Sequence, residues 1–185
     1  MESIRYRSLS FEPLKESDLA ILYRWRSEPH VREFYQRKRP TWEGVRDKYI
    51  PRLRPDSPTK CFLVASGDPI GCIQTYRVMD WPEYAATIGE RAGISVDLFI
   101  GEAAYIGKGW GPLILPKFLL DVAFSLFPEE KICWIAHDSL NHRALGASKA
   151  AGFSYVRDFV EEGIQHQLLR IEKEDAASLA DRLRK

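Results

Sequence analysis

No stretch of this 185-residue chain approaches the ~20 consecutive apolar residues that a membrane-crossing helix requires. The first ten residues, MESIRYRSLS, hold no apolar core of the kind a secretory leader carries. Cysteine is scarce and never clustered. Cys61, Cys72 and Cys133 stand singly in the apolar runs CFLVA, GCIQTY and ICWIA, with no CxxC among them. That pattern predicts reduced, buried thiols in a cytoplasmic protein, not a disulfide framework. Metal-ligand spacing is missing too, since Cys133 and His137 alone are too few ligands for a site. Nor is there a surplus of one charge: 27 basic residues against 26 acidic leave a net +1. A nucleic-acid protein should display a basic excess, so the composition argues against that class as the missing apolar run argues against a membrane protein. With 45% hydrophobic and 29% charged residues, what remains is an ordinary globular composition, long enough for one well-buried domain.

Ile4 to Phe11 alternates apolar and polar residues as an edge strand does. Ser17 is placed to cap a helix whose apolar face, Leu19, Leu22 and Tyr23, runs to about Arg26 before Glu28-Pro29 stops it. His30 to Pro40 is basic and aromatic without a period, and reads as a loop. Thr41 caps a second helix to about Ile50, and a proline-rich connector spans Pro51 to Pro58. Lys60 to Ser66 and Ile70 to Val78, joined at Gly67-Asp68-Pro69, carry a hairpin signal. Met79 to Ala92 is polar and irregular and would hang at one end of the sheet. Next come a strand from Ile94 to Ile100, a glycine-rich turn and a long apolar helix to about Phe127. A strand from Lys131 to Ala136 and a helix from Asn141 to Ala151, ended by Gly152, follow. Phe153 to Val160 and Ile164 to Arg170 make a last hairpin. The expected fold is one α+β domain over residues 1–172, a mixed, mostly antiparallel sheet of about seven strands flanked by about four helices. Residues 173–185 read as a charged tail, frayed or lying on the surface as a helix.

The turn Gly107-Lys108-Gly109-Trp110-Gly111 is the chemically suggestive stretch. Glycines at alternate positions let the backbone curl so that several N–H groups point one way, and the following helix adds the positive end of its dipole. Together they form a pocket for a pyrophosphate. A P-loop would need Ser or Thr after its lysine, where Gly109 stands here, and a dinucleotide fold would place its glycine turn in the first βαβ unit. Taken alone, the turn is equally a plain strand-to-helix junction. Its context is more specific. Strand, glycine turn, long helix and strand, followed by Asn141-His142-Arg143-Ala144 and Ala151-Gly152-Phe153, resemble the core of the GNAT superfamily of acyl-CoA-dependent N-acetyltransferases. The resemblance runs from about Phe11 to Ile171. One departure is Ile106, three residues before Gly109, where the family often carries Arg or Gln. A narrower resemblance, to aminoglycoside 6′-N-acetyltransferases, rests on Tyr23-x-Trp25, Gly93-Ile94, Asp97, the ten-residue interval from Asp97 to Gly107, and Trp81-Pro82-Glu83.

The resemblance implies a GNAT-like fold using acetyl-CoA as cosubstrate. The pyrophosphate would lie on Gly107, Lys108, Gly109, Trp110 and Gly111, with Asn141 and Arg143 on the cofactor arm. Backbone amides near Leu98, Phe99 and Ile100 would hold the thioester carbonyl, each worth ~3 kcal/mol as it becomes an oxyanion. The acceptor is an amine, mostly protonated at neutral pH, and a carboxylate can anchor the ammonium and accept its proton. Asp97 is the candidate catalytic residue. Between Val96 and Leu98 an acid buried without a partner would cost several kcal/mol, so it should face the cleft or pair with an arginine. Glu83 and Asp138, with Asp80 and Glu90, would draw a small cationic aminoglycoside, and Trp81, Tyr84, Tyr35 and Trp25 are candidate sugar-stacking rings. His137 and His142 are expected at the surface. Related enzymes often place a tyrosine where Ser148 stands to protonate the leaving thiolate; Ser148 is a weaker acid, and a free thiol's pKa of ~8.5 lets the thiolate leave without one. The implied activity is acetylation of an aminoglycoside 6′-amine by a monomer or dimer. A siderophore precursor or peptide amine is the alternative acceptor, and an acyl-CoA-binding module without catalysis the non-enzymatic alternative.

Overall fold

The computed structural model describes residues 2–35 and 37–185. The amino-terminal half comprises α1 (Glu2–Ser8), β1 (Leu9–Pro13), α2 (Leu19–Ser27), α3 (Pro29–Arg32), α4 (Trp42–Tyr49), β2 (Lys60–Ser66) and β3 (Asp68–Arg77). Then come α5 (Pro82–Ile88), β4 (Ile94–Ile100), α6 (Gly111–Phe118), α7 (Phe124–Leu126) and β5 (Ile132–Asp138). The chain closes with α8 (His142–Ala150), β6 (Ser154–Glu161), β7 (Ile164–Glu172) and α9 (Lys173–Arg184). The seven strands form one sheet in the order β1-β2-β3-β4-β5-β7-β6, antiparallel except where β4 meets β5.

The period of two along the strands divides the core. Phe62, Val64, Ile73, Ile94, Val96, Cys133, Ile135, Leu169 and Ile171 face one way, into a cluster closed by α1, α6, α7, α8 and α9. Their neighbours Cys61, Leu63, Cys72 and Phe99 face α2, α3 and α4 on the other side. Trp134 and Leu168 share that side with α5. Asp97, two residues before Phe99, therefore points toward the α2–α4 side.

The expected sheet is present, and so are the helical segments α2, α4, α6–α7 and α8 and the carboxyl-terminal surface helix α9; α1, α3 and α5 are added to them. The expected edge strand from Ile4 is instead α1, with β1 starting at Leu9. Four alternating residues suit either structure, and here Tyr6 is 1% exposed while Ile4 is 72% exposed. The expected loop from His30 contains α3; Gln36 in that stretch lies outside the described residues. Met79–Ala92 holds α5, begun by Pro82 and ended by Gly89 in the left-handed region at φ 67°. The charged carboxyl-terminal stretch is the surface helix α9, its inner face docked on the main core by the fully buried Ala176 and Ala180, one turn apart. Pro116 interrupts the ladder within α6, and the chain passes through a π-helical segment, Leu119–Ala123, before α7.

Candidate functional site

β3 covers one edge of β4 along its whole length, from Ile94 opposite Arg77 to Ile100 opposite Gly71. On the other edge β5 pairs at only two positions, Ile94 with Cys133 and Ser95 with Trp134. Beyond these rungs the two strands part, leaving the edge of Val96–Ile100 free of strand partners. A cleft of about 650 Å³ opens there, lined by Val96–Ile100 on one side and Ile135–Asp138 on the other. Its far end is the glycine turn, with Gly107, Gly109, Trp110 and Gly111 all in the lining.

Gly107 and Gly109 adopt left-handed φ values of 69° and 73°, which side-chain-bearing residues rarely take. Among the described residues, no protein group accepts a hydrogen bond from the amides of residues 107–111. These are the free donors a diphosphate requires, and they lead into the start of α6. From the opposite side Arg5 braces the turn, its guanidinium 4.1 Å from the Trp110 ring centroid and donating to the Lys108 carbonyl at 2.6 Å. Lys108 is itself exposed and outside the lining. Asn141 accepts from the Ala144 amide at 3.1 Å, capping α8, and lines the cleft together with Arg143. Arg143 is exposed, with Glu33 at 3.9 Å.

At the acceptor end, Asp97 Oδ2 accepts from Gln74 Nε2 at 2.6 Å, and among the described residues Asp97 makes no ion pair. The arginine partner weighed from sequence is thus replaced by an amide. Around it stand Tyr35, packed on Phe99 at 4.7 Å, and Tyr84, whose hydroxyl is 3.2 Å from Ser95 Oγ. Burial raises the pKa of both phenols, and the negative charge of Asp97 pushes the same way. Lys48, on α4, reaches the same cleft with its Nζ over the rings of Tyr35 and Tyr49 at 5.5 and 5.7 Å. Burial lowers its pKa to about 8, and the nearby Arg26 and Arg52 add to that. Glu161 also lines the cleft, its pKa raised first by burial and also by the charge of Asp97.

A family model described as an acetyltransferase (GNAT) domain matches residues 15–160. The chain belongs to the GNAT acetyltransferase family. It is an acetyl-CoA-dependent N-acetyltransferase. It is 30% identical over 155 residues to the aminoglycoside N(6′)-acetyltransferase type 1 of Klebsiella pneumoniae, covering 79% of this chain and 74% of that protein. Its fold is similar to that of the aminoglycoside acetyltransferase AAC(6′)-Ib in complex with coenzyme A and kanamycin. There the TM-score is 0.75 at 22% identity, over 92% of this chain and 98% of that one. The spermidine N-acetyltransferase of Vibrio cholerae, in complex with coenzyme A and spermine, gives 0.73 at 13% identity, over 92% and 99%.

The structure of this GNAT protein brings together only some of the residues singled out from sequence. Leu98, Phe99, Ile100, Tyr35, Asp97 and Asp138 line the cleft. Trp81 and Glu83 do not, because α5 turns Tyr84 and Ile88 inward and leaves Glu83 exposed, with Trp81 on a separate hollow beside Arg52. The expected acidic mouth is largely neutralised: Asp138 is held by Arg37, Asp80 by Arg77 and Glu90 by Arg157. Trp25 is a core brace, fully buried, with its Nε1 donating to Glu102 at 2.7 Å. His137, expected at the surface, lines the cleft, and its Nε2 is 2.7 Å from Ser148 Oγ. Ser148 is 1% exposed, so its hydroxyl serves His137 and does not reach into the cleft. Lys48, Gln74 and His166 also line the cleft but were not foreseen; they lie on different elements and form no motif. Among the described residues, no group of three or more His, Cys, Asp or Glu side chains could hold a metal ion, and no helix is long and apolar enough to cross a membrane.

Proposed function

We propose that the protein transfers the acetyl group of acetyl-CoA to the 6′-amine of an aminoglycoside, and that Asp97 holds and deprotonates that amine. The observation carrying the reading is the position of Asp97: on β4, where the strand has parted from β5, with one carboxylate oxygen tied to Gln74 and the other unbonded by any described residue. Asp97 anchors the acceptor's ammonium and takes one proton from it. The freed nitrogen lone pair attacks the thioester carbonyl carbon, and amides on the open edge of β4 supply hydrogen bonds to the oxygen as it gains charge. The C–S bond then breaks, giving the acetamide, coenzyme A and one proton released to solvent. The amides of residues 107–111, with Asn141 and Arg143, fit the diphosphate and arm of the cosubstrate. The relatives that act on aminoglycosides support the choice of acceptor. Three free, buried thiols support a reducing, cytoplasmic setting.

One observation favours the siderophore-precursor or peptide-amine alternative. Lys48 lines the cleft with Asp97, whose charge acts on it, and Arg26 and Arg52 stand behind it around the Tyr49 ring at 5.4 and 5.8 Å. An acceptor bearing a carboxylate next to its amine would suit that charge better than a polycation does. A thiol-release assay with acetyl-CoA separates the readings, using a 6′-amino aminoglycoside, its 6′-hydroxyl counterpart, a polyamine and a zwitterionic amine. The proposal expects turnover on the 6′-amino compound alone, and a fall of about 100-fold or more in kcat/KM in Asp97→Asn with coenzyme A affinity kept. Turnover confined to the zwitterion favours the alternative. Tight coenzyme A binding with no thiol release for any of these amines would refute both acceptor readings.

A further inference from the structure

Asp97 is backed by two further residues in series. Gln74 faces it across the β3–β4 ladder and is 7% exposed. Its Oε1 accepts from Arg52 Nη1 at 2.5 Å, and from the Cys61 thiol at 3.7 Å. A guanidinium has donors only. The amide oxygen of Gln74 must therefore face Arg52, which turns its NH₂ group toward Asp97. Arg52 comes from the 3-10 turn Ile50–Leu53 after α4 and is itself half-buried, its guanidinium over the Tyr49 ring. Without it the amide oxygen keeps only the weak, long bond from the Cys61 thiol, and the side chain is held less firmly against Asp97. Arg52 makes no ion pair with Asp97 among the described residues and is joined to it through the amide.

We propose that Gln74 and Arg52 are positioning residues for acetyl transfer: Arg52 fixes the amide of Gln74, and Gln74 ties down one oxygen of Asp97 so that the other is presented to the acceptor's amine. The proposal rests on the reading of Asp97 given above and extends it to the two residues behind it. Proton–nitrogen correlation spectra of the labelled full-length protein provide a test independent of any acceptor. The Gln74 side-chain signals, assigned by their loss in Gln74→Leu, should move in both Asp97→Asn and Arg52→Met. They should keep their place in Arg52→Lys, which retains a donor-only cation. In kinetics, Arg52→Met should lower kcat/KM for the acceptor about five- to tenfold, the scale of one hydrogen bond, with coenzyme A affinity unchanged. Arg52→Lys, which keeps a donor-only cation, should recover most of that loss. If the Gln74 signals stay fixed in Asp97→Asn and Arg52→Met, the relay is overturned. If they move while Arg52→Met keeps the wild-type kcat/KM, or Arg52→Lys fails to recover what Arg52→Met loses, the positioning role is overturned. Unimpaired turnover in Asp97→Asn, with the signals still moving, would sink the role given to Asp97 and leave the hydrogen-bonded pair standing.

Discussion

His137 makes the protein's stability depend on pH in a calculable way. Burial, with the nearby His166 adding to it, lowers the pKa of this cleft-lining histidine from its ordinary 6.5 to about 4. A group whose pKa is depressed by folding contributes stability that is complete above the unfolded value and is lost as pH falls toward the folded one. The window is therefore pH 6.5 down to about 4. At 1.36 kcal/mol per pKa unit, the linkage amounts to about 2.5 kcal/mol of stability lost between neutrality and pH ~4.5. The perturbation is His137→Gln, which cannot take up a proton yet can still bond Ser148 Oγ. Urea unfolding of wild type and variant near pH 7 and near pH 4.5 compares the two losses, with equal m-values confirming equal exposure on unfolding. The variant should lose about 2.5 kcal/mol less than wild type over that interval, whatever its stability at neutrality. Equal losses would mean that His137 is protonated in the folded state as easily as in the unfolded one, which refutes the argument.

Gly109→Ala forces a side chain into the left-handed region at φ 73°, costing about 1–2 kcal/mol if the turn keeps its shape. The KM for acetyl-CoA should rise about tenfold by that cost, and titration with coenzyme A should show the same loss; unchanged affinity would place the diphosphate elsewhere. Lys48→Met removes a cation near Asp97, so a polycationic acceptor should bind several-fold tighter and a zwitterionic one weaker. Because Lys48 sheds its proton around pH 8, either difference should shrink as pH rises through that value, which a KM series from neutral to alkaline pH reads directly.

Strands and turns were the legible part of this molecule. Ile94–Ile100, Lys60–Ser66 and the hairpin of β6 and β7 follow from runs of β-formers between glycines, and Asn141 capping α8 follows from residue type and position. The glycine turn was legible for the same reason, because positive φ restricts the residues that can stand there. Helices of one or two turns were less so. α1 is held by one buried residue, Tyr6, and α5 by a few, Tyr84, Ala85 and Ile88, too short a run for a periodicity to record. In the site, Asp97 was visible as an acid inside an apolar strand. Gln74 and Arg52 were not, since 23 residues separate Gln74 from Asp97 and only the strand register joins them. The acidic mouth was misjudged because acids can be counted along a sequence, whereas their neutralisation by Arg37, Arg77 and Arg157 depends on tertiary contacts.

The seam between β4 and β5 divides the sheet into two leaves whose ladder has only two rungs there, with ion pairs such as Glu90–Arg157 crossing it as well. Between those strands the polypeptide crosses once, through residues 101–131, and that single crossing also contains the glycine turn and α6. The spine of the book is thus the same peptide that would clasp the diphosphate. Any spreading or drawing together of the leaves around a pantetheine chain would shift the two ends of this connection, so grip at one end and aperture at the other share one stretch of chain.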